Sequence, residues 1–504
     1  MVGCTVVAGT LEVTTHLPSQ GRSSAFYHAL ADDWLVPGMR RCLGPETAHK
    51  VALRIAFLAP THRPSAKEQR LNVQVRLWDG NKNNNKDKTA ARVFPNPIGL
   101  AAGYDKDGTA IGPLLAMGFG FVEVGSVCLE AQPGNPSPRM FRLAQDEAIV
   151  NRYGFNSMGA DAVEDHLKEY RSSQSTSSSS LATTTTTTTT ATQKLLNSLC
   201  SRVSVLLPIE QAEGNTYTSS SSSGLVGINL GKNKTSTTPL EDYQKLILQL
   251  GPYADYLVVN VSCPNISGLR DLQSTSSLEG LLKGCQEARS QLANKINDND
   301  NDNDNDNANT NTTTIASTNR QPPPLLVKLS PDLTDSELED IAAVLMKVGI
   351  DGIVVTNTTT SRPTSLVSPN KAEQGGLSGK PLKQRSTECI RVLYRFTKGT
   401  IPIIGVGGVQ NGHDAYEKLR AGASLVQVYS GMIYEGPGMV SKIRDEVAEL
   451  MLLNGQRDLQ TDVVGIDHDD LFIQRKRRQR EQTMTTTATM ATSLATSTTE
   501  GRAP

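Results

Sequence analysis

Residues 325–356, LLVKLSPDLTDSELEDIAAVLMKVGIDGIVVT, contain the pattern that decides the fold. Two apolar runs, Leu325–Leu329 and Gly352–Thr356, enclose an amphipathic segment over Leu333–Val348. Thr334 and Glu337 have the spacing of a capping box, which satisfies free backbone N–H groups at the start of a helix. A buried strand, a capped helix and a second buried strand predict two parallel strands joined by a crossover helix.

The same unit recurs along the chain. Apolar runs alternate with segments of helical spacing, such as His413–Arg420 before Gly422. Eight strand–helix units predict a closed (β/α)8 TIM barrel of the α/β class rather than an open sheet. The other six runs are Ile98–Ala102, Phe121–Val124, Val226–Asn229, Tyr256–Val259, Ile403–Val406 and Leu425–Val428.

Low-complexity segments interrupt this pattern. Residues 172–223 are rich in Ser and Thr, and residues 296–323 in Asn and Asp. Such segments bury too little apolar surface to offset chain entropy, so we predict disordered insertions in the barrel and a disordered tail. The predicted organisation is an unstructured N-terminus (1–25), a helical extension (26–60), a linker (61–93), the barrel domain (94–454) and the tail (455–504).

The extension contains two short amphipathic segments, Phe26–Val36 and Ala48–Leu58, with predicted breaks at Pro37 and Gly44-Pro45. Phe26 and Trp34 lie on one face at helical spacing. Two helices of this length cannot form a core of their own. They either pack on the barrel or present apolar surface to a membrane.

Composition excludes several classes of protein. Fifty basic and 51 acidic residues give a net charge of -1, so no global field attracts nucleic acid. The seven cysteines form no CxxC pair or Cys/His cluster, which argues against a zinc site and a disulfide framework. No run approaches the ~20 apolar residues of a membrane span. The first 25 residues lack a secretory pattern and contain one arginine, Arg22, so they are not typical of a mitochondrial presequence.

Polar residues follow the predicted strands at their carboxyl ends, where barrel enzymes build their sites. Gly407 and Gly408 follow strand seven, and Tyr429 and Ser430 follow strand eight, which predicts a phosphate site. Neutral amides with a donor and an acceptor side by side suit a planar ring such as a pyrimidine or isoalloxazine. The amides and two lysines are Asn151, Asn229, Asn260, Asn265, Asn357, Lys106 and Lys328.

The predicted strand ends do not carry the residue sets that several other kinds of enzyme require. The strand ends carry no paired carboxylates, no Ser/His/Asp set and no His-based metal ligands, which argues against glycosidase, hydrolase and metal-dependent reactions. No GxGxxG follows a strand, so a Rossmann nicotinamide site is not supported. We therefore expect a phosphorylated ligand and no metal.

Six motifs give the chain its resemblance to a known family. The motifs are NPIGLAAGYDK (96–106), MGFGFVEVGS (117–126), NRYGFNS (151–157), GINLGKNK (227–234), GLSGKPL (376–382) and IIGVGG (403–408). From Phe26 to about Asn454, insertions apart, the chain resembles the dihydroorotate dehydrogenases, and Gly44–His49 is similar to the helical extension of their quinone-reducing class.

The resemblance implies an enzyme that oxidises dihydroorotate to orotate with FMN in pyrimidine biosynthesis. A ubiquinone-type quinone would be the final electron acceptor, and the enzyme would lie at the surface of the inner mitochondrial membrane. Implied cofactor-binding residues are Ala102, Gly103, Lys106, Ser126, Asn151, Asn229, Asn260, Lys328, Thr356, Ser378, Gly379, Gly407, Gly408, Tyr429 and Ser430. Implied substrate-binding residues are Lys106, Asn151, Tyr153, Gly154, Phe155, Asn260, Asn265, Asn357 and Thr358, and His49, Arg142 and Tyr429 would line the quinone tunnel.

The catalytic base is the main departure from the resemblance. The quinone class usually reads Ser-Ser-Pro-Asn here, whereas this chain reads Ser262-Cys-Pro-Asn265, as in the soluble class. A thiol has a reference pKa of about 8.5 and ionises far more readily than a hydroxyl. Three interpretations are open: Cys263 is the base on a quinone-class body, the electron acceptor has changed, or Ser262 compensates. We favour the first, because the extension and tunnel rather than the base determine the acceptor.

Three other functions compete with this hypothesis. A soluble fumarate-reducing dihydroorotate dehydrogenase would share the cysteine. A flavin-dependent tRNA-dihydrouridine synthase also uses a cysteine, but it needs a basic RNA-binding face that the net charge of -1 does not support. A non-catalytic scaffold at the membrane has no reason to keep Lys106, Lys328 and the amides.

Overall fold

The computed structural model describes residues 29–59, 61–78, 91–179, 224–266, 268–302 and 321–477. The predicted barrel is confirmed: eight parallel strands close in the order β10-β12-β13-β3-β4-β7-β8-β9. The strands are β1 (Val75–Leu77), β2 (Arg92–Phe94), β3 (Ile98–Leu100), β4 (Phe121–Val127), β5 (Met140–Leu143), β6 (Ala148–Asn151), β7 (Leu225–Leu230), β8 (Tyr256–Asn260), β9 (Leu325–Leu329), β10 (Gly352–Val355), β11 (Gly376–Gly379), β12 (Ile403–Val406) and β13 (Leu425–Val428).

Helices follow most barrel strands. The predicted capping box is present: Thr334 Oγ1 accepts from the backbone N–H of Glu337, whose carboxylate accepts from Thr334 N. The helices are α1 (Val36–Cys42), α2 (Pro45–Ile55), α3 (Ile111–Ala116), α4 (Ala160–Ser179), α5 (Pro239–Leu250), α6 (Thr275–Asp302), α7 (Asp335–Val348), α8 (Lys383–Phe396), α9 (Gly412–Arg420), α10 (Ser430–Glu435), α11 (Met439–Leu453) and α12 (Leu459–Asp462). Shorter 3-10 turns cover Ala56–Leu58, Glu68–Arg70, Ala144–Asp146, Gly251–Tyr253, Arg270–Gln273, Pro369–Ala372 and Lys380–Leu382.

Aromatic rings close the amino-terminal end of the barrel. The Phe121 ring lies against Gly99, where an added Cβ would be 2.3 Å from the ring, and the Tyr256 ring fills the space above Gly227 in the same way. Phe94 packs edge-to-face on Phe121 with ring centroids 5.2 Å apart. These contacts leave the carboxyl end as the open end.

The predicted linker over 61–93 is wrong for the part that the structure describes. There β1 and β2 pair as an antiparallel sheet, with Val75 opposite Phe94 and Leu77 opposite Arg92. Val75, Leu77 and Phe94 are buried in the main core. The segment therefore belongs to the barrel domain, because its apolar side chains cover the closed end.

Of the two predicted breaks in the extension, the one at Gly44-Pro45 is confirmed, since α1 ends at Cys42 and α2 begins at Pro45, whereas the one at Pro37 is wrong. A wide helical segment of the π type, Ala29–Leu35, runs directly into α1, and Pro37 lies in the first turn of α1. Proline is tolerated there because the first N–H groups of a helix have no partner within it. Trp34 and Leu35 are 53% and 42% exposed. None of the helices in the described ranges is long and apolar enough to cross a bilayer.

The predicted disordered insertions begin later than expected. Helix α4 continues to Ser179 and α6 to Asp302, so 172–179 and 296–302 are helical and the prediction is wrong there. Residues 321–323 are also described, ahead of β9. The remaining predicted insertions, 180–223 and 303–320, lie outside the described residues.

The predicted disorder of the tail is wrong for residues 455–477. Helix α12 packs beside the β1 segment, where Leu459 N donates to Asn72 O at 2.9 Å. Leu459 and Val463 are fully buried, and a further helical segment covers 469–477. A few well-placed apolar residues anchor this segment although its composition is polar. Residues 1–28 and 478–504, with the predicted N-terminal disorder and the rest of the tail, lie outside the described residues.

Leu459→Ala is expected to destabilise the protein by about 3 kcal/mol, because it opens a cavity under the C-terminal segment. Leu453→Ala provides a matched control, since Leu453 is 76% exposed at the end of α11. Thermal unfolding of both variants and the parent chain checks this. Equal melting temperatures for the two variants would contradict the packing of residues 455–477 on the barrel.

Candidate active site

A cavity opens at the carboxyl ends of the barrel strands and encloses about 1050 Å³ with its mouth. All but one of the predicted cofactor-, substrate- and base-position residues line it. The lining residues among them are Ala102, Gly103, Lys106, Ser126, Asn151, Tyr153, Gly154, Phe155, Asn260, Cys263, Asn265, Lys328, Thr356, Asn357, Thr358, Ser378, Gly379, Gly407, Gly408, Tyr429 and Ser430. Asn229 is the exception and is fully buried behind the wall.

A glycine cradle forms one end of the cavity. Gly407 and Gly408 follow β12 with φ of +120° and +72°, and a Cβ on Gly408 would lie 2.4 Å from the Lys383 backbone. Ser386 Oγ donates to Gly407 O at 2.9 Å and fixes the turn. Such exposed backbone, beside the hydroxyl of Ser430, suits a phosphate group.

Neutral amides form a connected network along the wall. Asn260 Nδ2 donates to Ser126 Oγ and to Asn229 Oδ1, both at 3.0 Å. Asn260 Oδ1 accepts from Asn357 Nδ2 at 3.3 Å and from Ser262 Oγ at 3.1 Å. The network therefore fixes which way each amide faces the cavity.

Sequence reasoning missed the buried carboxylate that anchors this network. Glu123 on β4 has no exposed surface and accepts from Asn229 Nδ2 at 2.8 Å, Gln427 Nε2 at 2.6 Å and Tyr256 Oη at 3.4 Å. Gln427 also lines the cavity. The available signal was a polar residue inside each of two apolar runs, FVEVG and LVQV.

Lys328 supplies a buried positive charge. It lies opposite Asn260 in the β8–β9 pairing and is 5% exposed. Burial lowers the pKa of Lys328, and the charge of Glu123 partly opposes this effect. Within the described part of the chain, the structure gives its ammonium no hydrogen-bond or ion-pair partner. A buried cation of this kind favours an electronegative ligand beside it.

Lys106 lies on the opposite side of the cavity, in the loop after β3. Its ammonium donates to Asn156 Oδ1, a residue that was not among the predicted site residues, and lies 3.6 Å from the centre of the Tyr153 ring. Burial, and then the charge of Arg139, lower the pKa of Lys106 to about 7. An anionic ligand would restore the charged form, so this lysine suits a carboxylate.

Cys263 follows β8 and is 8% exposed, at the cavity surface. Burial raises the pKa of its thiol, although a hydrogen bond from the backbone of Asn265 and the charge of Lys106 act in the other direction. Burial therefore offsets part of the easy ionisation expected of a thiol. Ser262 is fully buried, with its hydroxyl engaged by Asn260 and Asn357, which disfavours it as a substitute base.

A second cavity of about 710 Å³ lies between the extension and the barrel. His49 and Arg142 line it, whereas Tyr429 lines the first cavity. His49 Nε2 donates to Tyr104 O at 2.7 Å, and burial lowers the pKa of His49 to about 4, so the ring is neutral near pH 7. The Tyr104 ring contacts His49 and Tyr429, with centroids 4.8 and 5.7 Å away. The other lining residues are mostly apolar and include Ala31, Leu35, Val36, Met39, Ala52, Ile55, Met117, Met140, Met432 and Ile433.

Known proteins resemble the chain over most of its length. Residues 86–451 match the family model described as dihydroorotate dehydrogenase. The mitochondrial dihydroorotate dehydrogenase (quinone) of Mus musculus is 40% identical over 460 residues, which cover 91% of this chain and 95% of the mouse chain. The dihydroorotate dehydrogenase (quinone) of Rhodospirillum rubrum is 37% identical over 85% of this chain and 92% of its own. The crystal structure of the Eimeria tenella DHODH with ferulenol matches with a TM-score of 0.66 and 35% identity, covering 86% of this chain and 99% of that one.

Cys263 is expected to react slowly with iodoacetamide near pH ~7 and faster as the pH rises past the ordinary thiol pKa of about 8.5, because the thiolate is the nucleophile. Exposed Cys42 serves as the internal control and should be alkylated first. Peptide mass mapping after timed alkylation at several pH values measures both rates. Rapid modification of Cys263 at neutral pH, at the rate of Cys42, would contradict the raised thiol pKa.

Proposed function

The chain belongs to the dihydroorotate dehydrogenase family, and from this premise we propose that it oxidises dihydroorotate to orotate in pyrimidine biosynthesis, with quinone as the final electron acceptor. One observation carries the proposal. A single cavity combines a lysine for a carboxylate, a thiol at its surface, a wall of oriented amides and a glycine cradle.

The flavin mononucleotide is the cofactor that we assign to this cavity. Its phosphate would lie on Gly407, Gly408, Tyr429 and Ser430. Lys328 would face the pyrimidine edge of its ring, where a fixed cation stabilises negative charge. Gln427 Oε1 is buried and has no hydrogen-bond partner among the described residues, which fits a ring N–H as its donor. The bound flavin would accept the hydride from C6 of the substrate.

Other ring contacts follow from the same assignment. Ala102, Gly103 and Thr356 lie at strand ends beside the cradle, and Ser378 Oγ lies 2.8 Å from Ser430 Oγ. The remaining ring-edge residues that we assign are Lys106, Ser126, Asn151, Asn229, Asn260 and Gly379. Because Asn229 is fully buried, it would act by orienting Ser126 and Asn260.

Lys106 is the residue that we assign to the substrate carboxylate. An arriving carboxylate raises the pKa of the lysine, so binding and protonation of Lys106 support each other. Asn265 Nδ2 donates to Asn151 Oδ1 at 3.4 Å, which joins two of the side-chain amides that would read the pyrimidine edges. The assigned substrate contacts are Asn151, Tyr153, Gly154, Phe155, Asn260, Asn265, Asn357 and Thr358.

Cys263 is the proposed catalytic base. Its thiolate would accept the proton from C5 of dihydroorotate while the hydride leaves C6, and the C5–C6 double bond of orotate forms. The charges of Lys106, Arg270 and Lys328 favour the thiolate, whereas burial opposes it. The balance predicts a base that works best above neutral pH.

Quinone is assigned to the second cavity, with His49 and Arg142 in its wall and Tyr429 beyond Tyr104 at its inner end. The mostly apolar lining supports quinone rather than fumarate, because fumarate is a small dianion. Four large apolar residues of the extension are 42–54% exposed, as in a helix that lies at a membrane interface. They are Trp34, Leu35, Phe57 and Leu58. We therefore propose docking at a membrane surface, the inner mitochondrial membrane by analogy with the relatives named mitochondrial.

Dihydroorotate is expected to bleach the flavin of the purified holoenzyme under anaerobic conditions, and a soluble quinone to restore its colour faster than fumarate does. The reduction rate should rise with pH through an apparent pKa above that of an ordinary thiol, because the base must be deprotonated and its pKa is raised. Cys263→Ser should reduce flavin more slowly, by up to about 100-fold, and its pH dependence should move to higher pH, because a hydroxyl ionises far less readily than a thiol. Stopped-flow absorbance over a pH series measures these rates.

Cys285→Ser is the matched control, because Cys285 is a fully buried cysteine of α6 away from the cavity. This variant should keep the parent rate and pH dependence. A flavin that stays oxidised with dihydroorotate overturns the substrate assignment. A pH dependence that is unchanged in Cys263→Ser overturns the assignment of the base.

Gly408→Ala is expected to lose most of its bound flavin, because the new Cβ collides with the Lys383 backbone. Gly349→Ala is the control, since Gly349 also has a positive φ, of +78°, but no neighbour within 4 Å of an added Cβ. Gly349→Ala should lose about 1 kcal/mol of stability from backbone strain, and Gly408→Ala more because of the added collision, but only Gly408→Ala should bind FMN at least about tenfold more weakly. The flavin-to-protein ratio and FMN titration measure this. Full flavin content in Gly408→Ala would rule out the cradle as the phosphate site.

A further inference from the structure

Helix α2 lines the second cavity and contacts a residue behind the wall of the first. His49 faces the second cavity. Glu46, one turn earlier in the helix, reaches the start of the strand pair β5–β6, which lies beside the first cavity. Glu46 Oε2 accepts from Arg139 Nε at 3.0 Å, and Oε1 accepts from Arg139 N at 3.3 Å and Ser137 Oγ at 3.2 Å. The Arg139 and Glu46 side chains are 14% and 21% exposed. This ion pair is therefore far less screened than one on the surface.

Arg139 links this ion pair to the proposed substrate site. Its guanidinium carbon lies 4.9 Å from the centre of the Tyr153 ring, and Lys106 Nζ lies 3.6 Å from the centre of the same ring. Two cations thus share one aromatic ring inside the protein, where their repulsion is only weakly screened. Glu46 is the carboxylate that pairs directly with Arg139.

We propose that Glu46 is a positioning residue for dihydroorotate: by neutralising Arg139 it keeps Lys106 charged, and so couples the helix of the quinone cavity to substrate affinity. The proposal rests on the proposed function, because it takes Lys106 as the partner of the substrate carboxylate. Glu46 itself touches neither ligand in this scheme.

The charged and titratable groups around Lys106 determine whether each substitution raises or lowers the pKa of this lysine. Asp107 is its neighbour in the same loop, Cys263 faces it from the loop after β8, and Arg139 and Glu46 lie behind Tyr153. Arg139 lowers the pKa of Lys106, whereas Asp107, Cys263 and Glu46 raise it. Removing the charge of Glu46 should therefore lower the pKa of Lys106, and removing the charge of Arg139 should raise it.

The test is orotate binding to the FMN-loaded enzyme, measured by isothermal titration calorimetry from about pH 5.5 to pH 9. In the parent enzyme, affinity should fall as the pH rises above the pKa of Lys106. Glu46→Gln should weaken binding about three- to tenfold near pH ~8 and little near pH ~5.5, because a lower pKa leaves less charged lysine. Arg139→Met should move the fall in affinity to higher pH.

Opposite shifts in these two variants are the signature of an electrostatic role. If the ion pair only packs the strand against the helix, both variants weaken binding by a factor that does not depend on pH, and the proposal is overturned. Glu46→Asp keeps the charge with altered geometry, so its pH dependence should match the parent enzyme. This variant decides the question even if Arg139→Met does not fold, because a packing role would make it behave like Glu46→Gln.

Asp33→Asn is the matched control, since Asp33 is an exposed acid of the same extension. It should leave orotate affinity unchanged at every pH. A parent enzyme that does not bind orotate refutes the proposed function. A parent enzyme that binds orotate, with Glu46→Gln indistinguishable from it, refutes only the coupling through Glu46.

Discussion

The carboxylate of Glu123 lies inside the barrel with no access to solvent, and the polar half of the site depends on it. An unpaired buried charge costs several kcal/mol, so its surroundings must supply donors. Asn229, Gln427 and Tyr256 donate to it from three other strands, and Lys328 contributes a nearby positive charge from β9. One carboxylate thereby ties five of the eight barrel strands together and sets the direction in which the amides face.

The rest of the cavity is organised by the cost of burying charge. Burial lowers the pKa values of Lys106 and Lys328 and raises that of the Cys263 thiol, so all three groups are biased toward their neutral forms before a ligand arrives. A carboxylate beside Lys106 and an electron-rich ring beside Lys328 would return the charge to both lysines. Ligand binding and protonation of the two lysines are therefore thermodynamically linked, so the site takes up its charged form when it is filled.

Much of the fold could be predicted because long apolar runs alternate with amphipathic segments. Leu325–Leu329, Ile403–Val406 and Leu425–Val428 were predicted to the residue. The site residues followed from topology, since a closed parallel barrel brings every strand end to one mouth. The antiparallel pair β1–β2 was missed because each of its three-residue strands contains an arginine, unlike the apolar run that marks β3. The folded segment 455–477 was missed because its buried anchors, such as Leu459, are few within a polar composition.

Cysteine at the base position is typical of the soluble class, whereas the helical extension is typical of the quinone class. The structure explains how one chain can carry both, because they lie at different cavities. Cys263 lies in the loop after β8 and faces the amide wall, whereas the extension covers an apolar cavity on the other side of Tyr104. The rings of His49, Tyr104 and Tyr429 lie between the two cavities. The Tyr104 ring contacts the other two, so the three rings form a continuous row from one cavity to the other. A change of base alters proton transfer on one side of this partition and leaves the wall of the other cavity intact. The residue that removes the proton can therefore vary independently of the acceptor, because Cys263 lines the first cavity and not the second.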